Sequence, residues 1–198
     1  GDFTSFTPNL TSTSVARNYL ARVNEDGTID ANYNPSPSAS VNGLALQADG
    51  KVVAVGSFNS LVPNATSTAV TRNYVARLNS DGSLDQNFNP NASGPVNAVV
   101  ALTNGQFLLG GSFTSLQPAA GGALVLRNNL ARINSDGAVD QSFNPNPNGT
   151  VTTLASVYRQ LGRHADGRSI DTRALELAED AEEARFDALL GLAADAVG

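Results

Sequence analysis

Cysteine, methionine and tryptophan are absent from the 198-residue chain, and histidine occurs once, as His164. Without cysteine there can be no disulfide, no thiol nucleophile and no cysteine-ligated zinc. One histidine excludes a multi-histidine metal centre. Charged residues make up 15% of the chain, low against an average near ~25%. The net charge of −6 argues against nucleic acid as a partner, because phosphate recognition needs a basic surface. The longest apolar runs are far too short to span a bilayer, so membrane insertion is not expected. The chain has no initiator methionine and no signal-peptide pattern, which reads as a processed chain or a piece of a longer one.

What is present is a repeat. Residues 18–30 read NYLARVNEDGTID, residues 73–85 NYVARLNSDGSLD and residues 128–140 NNLARINSDGAVD, at a spacing of 55 residues. Two further landmarks keep the same register. One is Gly1-Asp2-Phe3, Gly56-Ser57-Phe58 and Gly111-Ser112-Phe113; the other is Tyr33-Asn34-Pro35, Phe88-Asn89-Pro90 and Phe143-Asn144-Pro145. A fixed period of this length marks a repeat architecture.

Each unit reads as four short strands. Residues 41–47 alternate, residues 48–50 turn, and residues 51–58 form a valine-rich strand. After a long loop, residues 73–79 and 83–88 flank the turn Ser80-Asp81-Gly82. Asp-Gly between alternating runs signals a hairpin, because glycine adopts positive φ without a steric penalty. The predicted fold is therefore all-β: three four-stranded antiparallel β-propeller-type repeats of 55 residues.

The stretch VARLNSDGSLDQNFNP at 75–90, with VNGLALQADGK at 41–51 and VGSF at 55–58, resembles the delta-60 repeat family across about residues 1–157. That resemblance implies tandem propeller-like arrays in large surface or secreted bacterial proteins. It implies no common chemistry.

The repeat stops within residues 151–157. Val151-Thr152-Thr153-Leu154-Ala155 aligns with Val41–Ala45, but no Asp-Gly turn follows at 158–160. Residues 151–198 contain no asparagine, proline or lysine. The division is thus 1–157, the β repeats, and 158–198, a loop and an acidic alanine-rich C-terminal α-helical tail. Asp171 or Thr172 would cap a helix over 172–190. Ile170, Ala174, Leu177, Ala181, Ala184 and Ala188 would share its apolar stripe.

Three candidate sites follow. The first is calcium. Asn24–Asp30 resembles the middle of an EF-hand loop, which makes Asp26, Asp30, Asp81, Asp85, Asp136 and Asp140 weak metal candidates. In that register Arg22, Arg77 or Arg132 would occupy the first ligand position, and an aromatic residue would stand where the bidentate acid belongs. The preferred reading is a type I turn with a G1 bulge. It sets Arg22 opposite Asp30, Arg77 opposite Asp85 and Arg132 opposite Asp140 as structural ion pairs.

The second candidate is catalysis. The repeated acids already have turn roles, the nucleophile elbow Gly-x-Ser-x-Gly is absent, and His164 lies in the tail. No enzyme activity and no cofactor are expected. The third candidate is the long loop at 4–17, 59–72 and 114–127, ending at Arg17, Arg72 and Arg127. Long loops on a rigid scaffold often carry recognition, while the recurring arginines suit anchoring. Asn9-Leu10-Thr11 and Asn64-Ala65-Thr66 match the N-glycosylation pattern.

The expected function is a non-catalytic extracellular or cell-surface scaffold or adhesion module that presents these loops to another protein or glycan surface. The alternatives are a structural subunit assembling with its own copies and a fragment of a carbohydrate-active enzyme. Three units leave two open sheet edges, so an oligomer or part of a longer array is expected.

Overall fold

The computed structural model describes residues 1–8, 13–65, 68–118 and 122–154. The expected tail helix and His164 lie outside them. The strands are β1 (Ser5–Phe6), β2 (Val15–Ala16), β3 (Val41–Leu46), β4 (Val52–Gly56), β5 (Ser60–Leu61) and β6 (Val70–Thr71). They continue with β7 (Val75–Leu78), β8 (Val96–Ala101), β9 (Phe107–Gly111), β10 (Ser115–Leu116), β11 (Val125–Leu126) and β12 (Leu130–Ile133). Helix among the described residues amounts to one short 3-10 turn, Pro63–Ala65.

Two antiparallel three-stranded sheets form the frame, ordered β3-β4-β7 and β12-β9-β8. Their registers repeat. Val53 pairs with Ala45 and Arg77, as Leu108 pairs with Val100 and Arg132. The fourth strand expected in each unit is not formed as a strand. It contracts to one bridge, Val23↔Ile29, Leu78↔Leu84 or Ile133↔Val139. The cause is the aspartate that follows. Asp85 N–H still bonds Arg77 O, but its carboxylate Oδ1 accepts Asn87 N–H and turns the chain out of the sheet.

The long loop is more ordered than the sequence implies. In each unit it holds a two-residue antiparallel ribbon: β1–β2, β5–β6 or β10–β11. A residue at positive φ ends each excursion, namely Tyr19, Tyr74 or Asn129. Its N–H donates to the carbonyl of Phe3, Phe58 or Phe113 at 2.8 Å. In the second and third units the chain thereby reverses into β7 and β12, which pair with the central strands β4 and β9.

The central strands are apolar along their whole length because both faces are covered. Val53, Val55 and Val75 pack with Phe107, Leu109, Ala131 and Ile133 between the second and third units. Ala54, Ala76 and Leu78 pack on the other face with Leu20, Tyr33 and Phe58. Leu108 and Leu130 meet Phe143 and Val151. Phe58 and Phe113 are fully buried, each worth about 1.5–3 kcal/mol of transfer free energy.

The glycine of the Gly-Ser-Phe landmark has a physical reason. A Cβ on Gly56 would stand 2.1 Å from Ser40 O, and one on Gly111 2.3 Å from Pro95 O. The strand ends there because the first strand's lead-in crosses directly over it. Side chains tie consecutive units together at the first strands as well: Asn42 Nδ2 donates to Val96 O and Asn97 Nδ2 to Val151 O.

Candidate functional site

The repeated hairpin carries a polar cluster whose geometry starts from the turn. Asn24 N–H bonds Thr28 O, and Gly27 N–H bonds Asn24 O, with Gly27 at φ 80°. Gly82 and Gly137 take the same conformation at 82° and 92°, which a Cβ would strain. The turn aspartate closes the loop with its own carboxylate. Asp26 Oδ1 accepts Thr28 N–H at 2.9 Å and Thr28 Oγ1 at 2.6 Å. Asp81 does the same with Ser83, and Asp136 takes Ala138 N–H. Hydrogen bonds from Thr28, the hydroxyl first, hold the Asp26 carboxyl below its ordinary range.

The second aspartate divides its two oxygens between two tasks. Oδ1 of Asp30, Asp85 and Asp140 accepts the backbone N–H two residues on, from Asn32, Asn87 and Ser142. Oδ2 accepts the arginine Nε across the hairpin, Arg22 at 2.9 Å, Arg77 at 3.0 Å and Arg132 at 2.9 Å. The structure thus brings together the three Arg–Asp couples and keeps Asp26, Asp81 and Asp136 within their own turns. Among the described residues no three histidine or acidic side chains converge as a metal site would require.

The surroundings of the three couples differ in depth. Arg22 is 41% exposed at its side chain, whereas Arg77 is 9% exposed. An exposed pair contributes ~0–1 kcal/mol, so the first couple stabilises least. Lys51 Nζ adds a third contact to the Asp85 carboxylate, at Oδ2 and 3.3 Å, and Gln106 Nε2 reaches Asp140 Oδ2 at 3.0 Å. Burial by itself would raise the Asp140 carboxyl. Hydrogen bonds from Ser142, Arg132 and Gln106 outweigh it and hold the group down at about 2. Asp85 is lowered by the same balance, with Asn87, Arg77 and Lys51 opposing its burial.

The arginines have further partners that the sequence does not reveal. The guanidinium lies over the aromatic ring eleven positions on: 4.3 Å from Tyr33, 4.2 Å from Phe88 and 4.8 Å from Phe143. The recurring aromatic of the Tyr/Phe-Asn-Pro landmark was the available signal. The arginine also reaches the next unit, where Arg22 Nη1 donates to Ser80 O and Arg77 Nη1 to Ser135 O. Arg22 and Arg77 therefore join their own hairpin end to the hairpin of the next unit.

The ribbons rest on a second set of arginines. Arg17, Arg72 and Arg127 are buried. Arg127 donates to the carbonyls of Leu126, Asp140, Gln141 and Phe143. Arg17 reaches Ala16, Asp30 and Ala31, and Arg72 reaches Thr71 and Gln86. These residues clamp the base of each ribbon to the end of its unit's hairpin. Beyond the clamp the ribbons diverge. Their outward residues are Ser14 and Ala16, then Ala69 and Thr71, then Leu124 and Leu126. Leu124 is 60% and Leu126 71% exposed.

The two glycosylation patterns fare differently. Asn9 and Thr11 lie outside the described residues. Asn64 stands at φ 50°, and its side chain is engaged at both ends. Oδ1 accepts Asn34 N–H at 3.1 Å and Nδ2 donates to Asp81 O at 2.9 Å. A glycan on Nδ2 would displace that second bond.

A family model described as a domain of unknown function (DUF5122), β-propeller, matches residues 9–33, 47–88 and 102–143. These matches cover more than half of the chain and end at Tyr33, Phe88 and Phe143, one per unit. The chain belongs to the DUF5122 β-propeller family. No curated protein matches the sequence. The family segments contain every hairpin arginine and aspartate described above, together with Arg17, Arg72 and Arg127.

Proposed function

We propose that this DUF5122 chain is a non-catalytic extracellular or cell-surface interaction module, a delta-60-type array that displays its ribbons to another protein or glycan surface. In this reading each unit is a propeller blade whose fourth strand is reduced to a single bridge. The observation that carries the proposal is the contrast within each ribbon. The base is clamped by a buried arginine, and the exposed residues change from unit to unit. A rigid frame with a variable surface is the arrangement that recognition requires. The recurring hairpin carboxylates, Asp26, Asp30 and their equivalents, are engaged in closing turns and pairing arginines, which supports the non-catalytic reading.

The test is a glycan array and an array of purified surface proteins, both probed with the 198-residue chain. A double variant, Leu124→Ala with Leu126→Thr, gives the third ribbon the exposed residues of the second. The expected result is a ligand bound by the native chain and weakened at least about tenfold by the variant, a loss of roughly 1.4 kcal/mol. Absence of any ligand on both arrays, or binding that ignores the ribbon change, would overturn the proposal.

A further inference from the structure

Three Asn-Gly pairs occur in the chain: Asn42-Gly43, Asn104-Gly105 and Asn148-Gly149. Glycine has no side chain to shield its backbone nitrogen. The side-chain amide carbon of a preceding asparagine can therefore close a cyclic imide with that nitrogen. The structure treats the three pairs differently.

Asn42-Gly43 lies inside β3. Asn42 Nδ2 donates to Val96 O at 3.2 Å, and Gly43 pairs with Val55 in the ladder. Asn104-Gly105 forms the turn between β8 and β9. Asn104 Oδ1 accepts Gln106 N–H at 3.1 Å, and its Nδ2 donates to Gln106 Oε1 at 2.7 Å. Gly105 N–H is itself engaged with Leu102 O at 3.1 Å. Ring closure at either pair has to break contacts that the fold makes there.

Asn148-Gly149 sits in the link between the third hairpin and Val151. Asn148, Gly149 and Thr150 are all exposed. Among the described residues, neither the Asn148 side chain nor Gly149 N–H makes a hydrogen bond. The link is fastened on either side of this segment. Pro147 O accepts Asn129 Nδ2 at 3.0 Å, and Val151 N–H donates to Gly111 O at 3.0 Å. In the first two units a serine stands at the position of Asn148, and its hydroxyl is held. Ser38 Oγ accepts the N–H groups of Asn59 and Ser60, and Ser93 Oγ those of Thr114 and Ser115. The third unit thus replaces an anchored hydroxyl with an amide that is free to cyclise.

We propose that Asn148 is a site of spontaneous modification, at which the side-chain amide is lost through a cyclic imide. Gly149 N gives up its proton and attacks Asn148 Cγ. The Cγ–Nδ2 bond breaks, and the departing nitrogen takes up a proton and leaves as ammonia. Water then opens the imide. Attack at the side-chain carbonyl gives aspartate. Attack at the backbone carbonyl gives isoaspartate, whose main chain runs through the former side chain. Water is the only co-reactant. Either product sets a carboxylate where a neutral amide stood. Isoaspartate also lengthens the link beside Val151, which is buried with Leu108, Leu130 and Phe143.

The test is to age the 198-residue chain at mildly alkaline pH and body temperature, and to follow the peptide around each pair by mass spectrometry. Isoaspartate is distinguished from aspartate by electron-transfer fragmentation. Asn148 should convert at least about tenfold faster than Asn42 or Asn104, whose hydrogen bonds must first break. In concentrated urea the three should convert at similar rates, because that protection is gone. A Cβ on Gly149 would meet nothing within 4 Å. Gly149→Ala should therefore keep the native unfolding midpoint while suppressing conversion at Asn148. Conversion of Asn42 or Asn104 as fast as Asn148 in the folded chain would overturn the proposal. So would an Asn148 that stays intact in the folded chain but converts in urea, or undiminished conversion in Gly149→Ala.

Discussion

The hairpins and the ribbons recur at the same 55-residue spacing, yet different things repeat in them. In the hairpins the side-chain chemistry is copied three times: turn aspartate, positive-φ glycine, Arg–Asp couple and stacked aromatic. In the ribbons only the backbone pairing and the clamping arginine are copied, and the outward residues vary. The difference follows from what each region touches. A hairpin end is packed against its own unit, and in the first two units against the next hairpin as well, so its residues are fixed by partners inside the molecule. A ribbon's outward face meets none of those constraints.

Arg127 offers the largest perturbation, since it joins the two regions. Replacing Arg127 by alanine leaves buried carbonyls of both the ribbon and the hairpin end without their donor. The expected loss is about 3 kcal/mol, read as a fall in the midpoint of denaturant unfolding. An effect as small as that of a surface substitution would show that the clamp is dispensable and that ribbon and hairpin are mechanically separate.

The hairpin couples come next. Asp85→Asn removes a charge that accepts from Arg77, Lys51 and the Asn87 amide, and about 2 kcal/mol should be lost. Asp30→Asn, in the more exposed couple, should cost clearly less than Asp85→Asn. Equal losses at the two positions would contradict the ranking by burial.

Acid should weaken the same couples. The folded-state carboxyls of Asp30, Asp85 and Asp140 lie below their ordinary range, Asp140 at about 2. Their stabilisation is complete above the unfolded carboxylate range near ~4. It is lost as pH falls through the folded values, because protonation then favours the unfolded chain. Chemical denaturation should therefore show stability declining between about pH 4 and pH 2, with a shallower decline in Asp140→Asn. An unchanged slope in that variant would remove Asp140 from the account.

A smaller effect is expected at Tyr74. Its φ of 64° is unusual for a bulky residue, and the third unit places Asn129 at 61° in the same position. Asparagine tolerates this region better, while Tyr74 gives up some packing against the core. The two contributions oppose each other, so Tyr74→Asn should stay within about 1 kcal/mol of the native chain.

Much of the hairpin was legible because its signals are local. Asp26-Gly27 fixes the turn, and the turn fixes which residues face each other across it, Arg22 and Asp30 among them. The stacking of Tyr33 and the reach of Arg22 to Ser80 were not legible, because they depend on how consecutive units pack. The ribbons look like plain loops in the sequence for a related reason. A two-residue strand such as Ser60–Leu61 has no periodicity to detect, and it forms because Asn59 O accepts Arg72 N–H and Leu61 is buried. The alternation at 83–88 suggests a fourth strand that does not form beyond the bridge Leu78↔Leu84. The asparagine and aspartate between Leu84 and Phe88 favour a turn, and Asp85 makes one.

The most direct test of the division between frame and surface is the unfolding midpoint of the double variant Leu124→Ala, Leu126→Thr, followed by urea denaturation beside the native chain. The account predicts stabilities equal to within about 0.5 kcal/mol, as for other exposed positions. A loss of about 2 kcal/mol or more, of the size that core truncations give, would mean that these leucines belong to the frame and would contradict it.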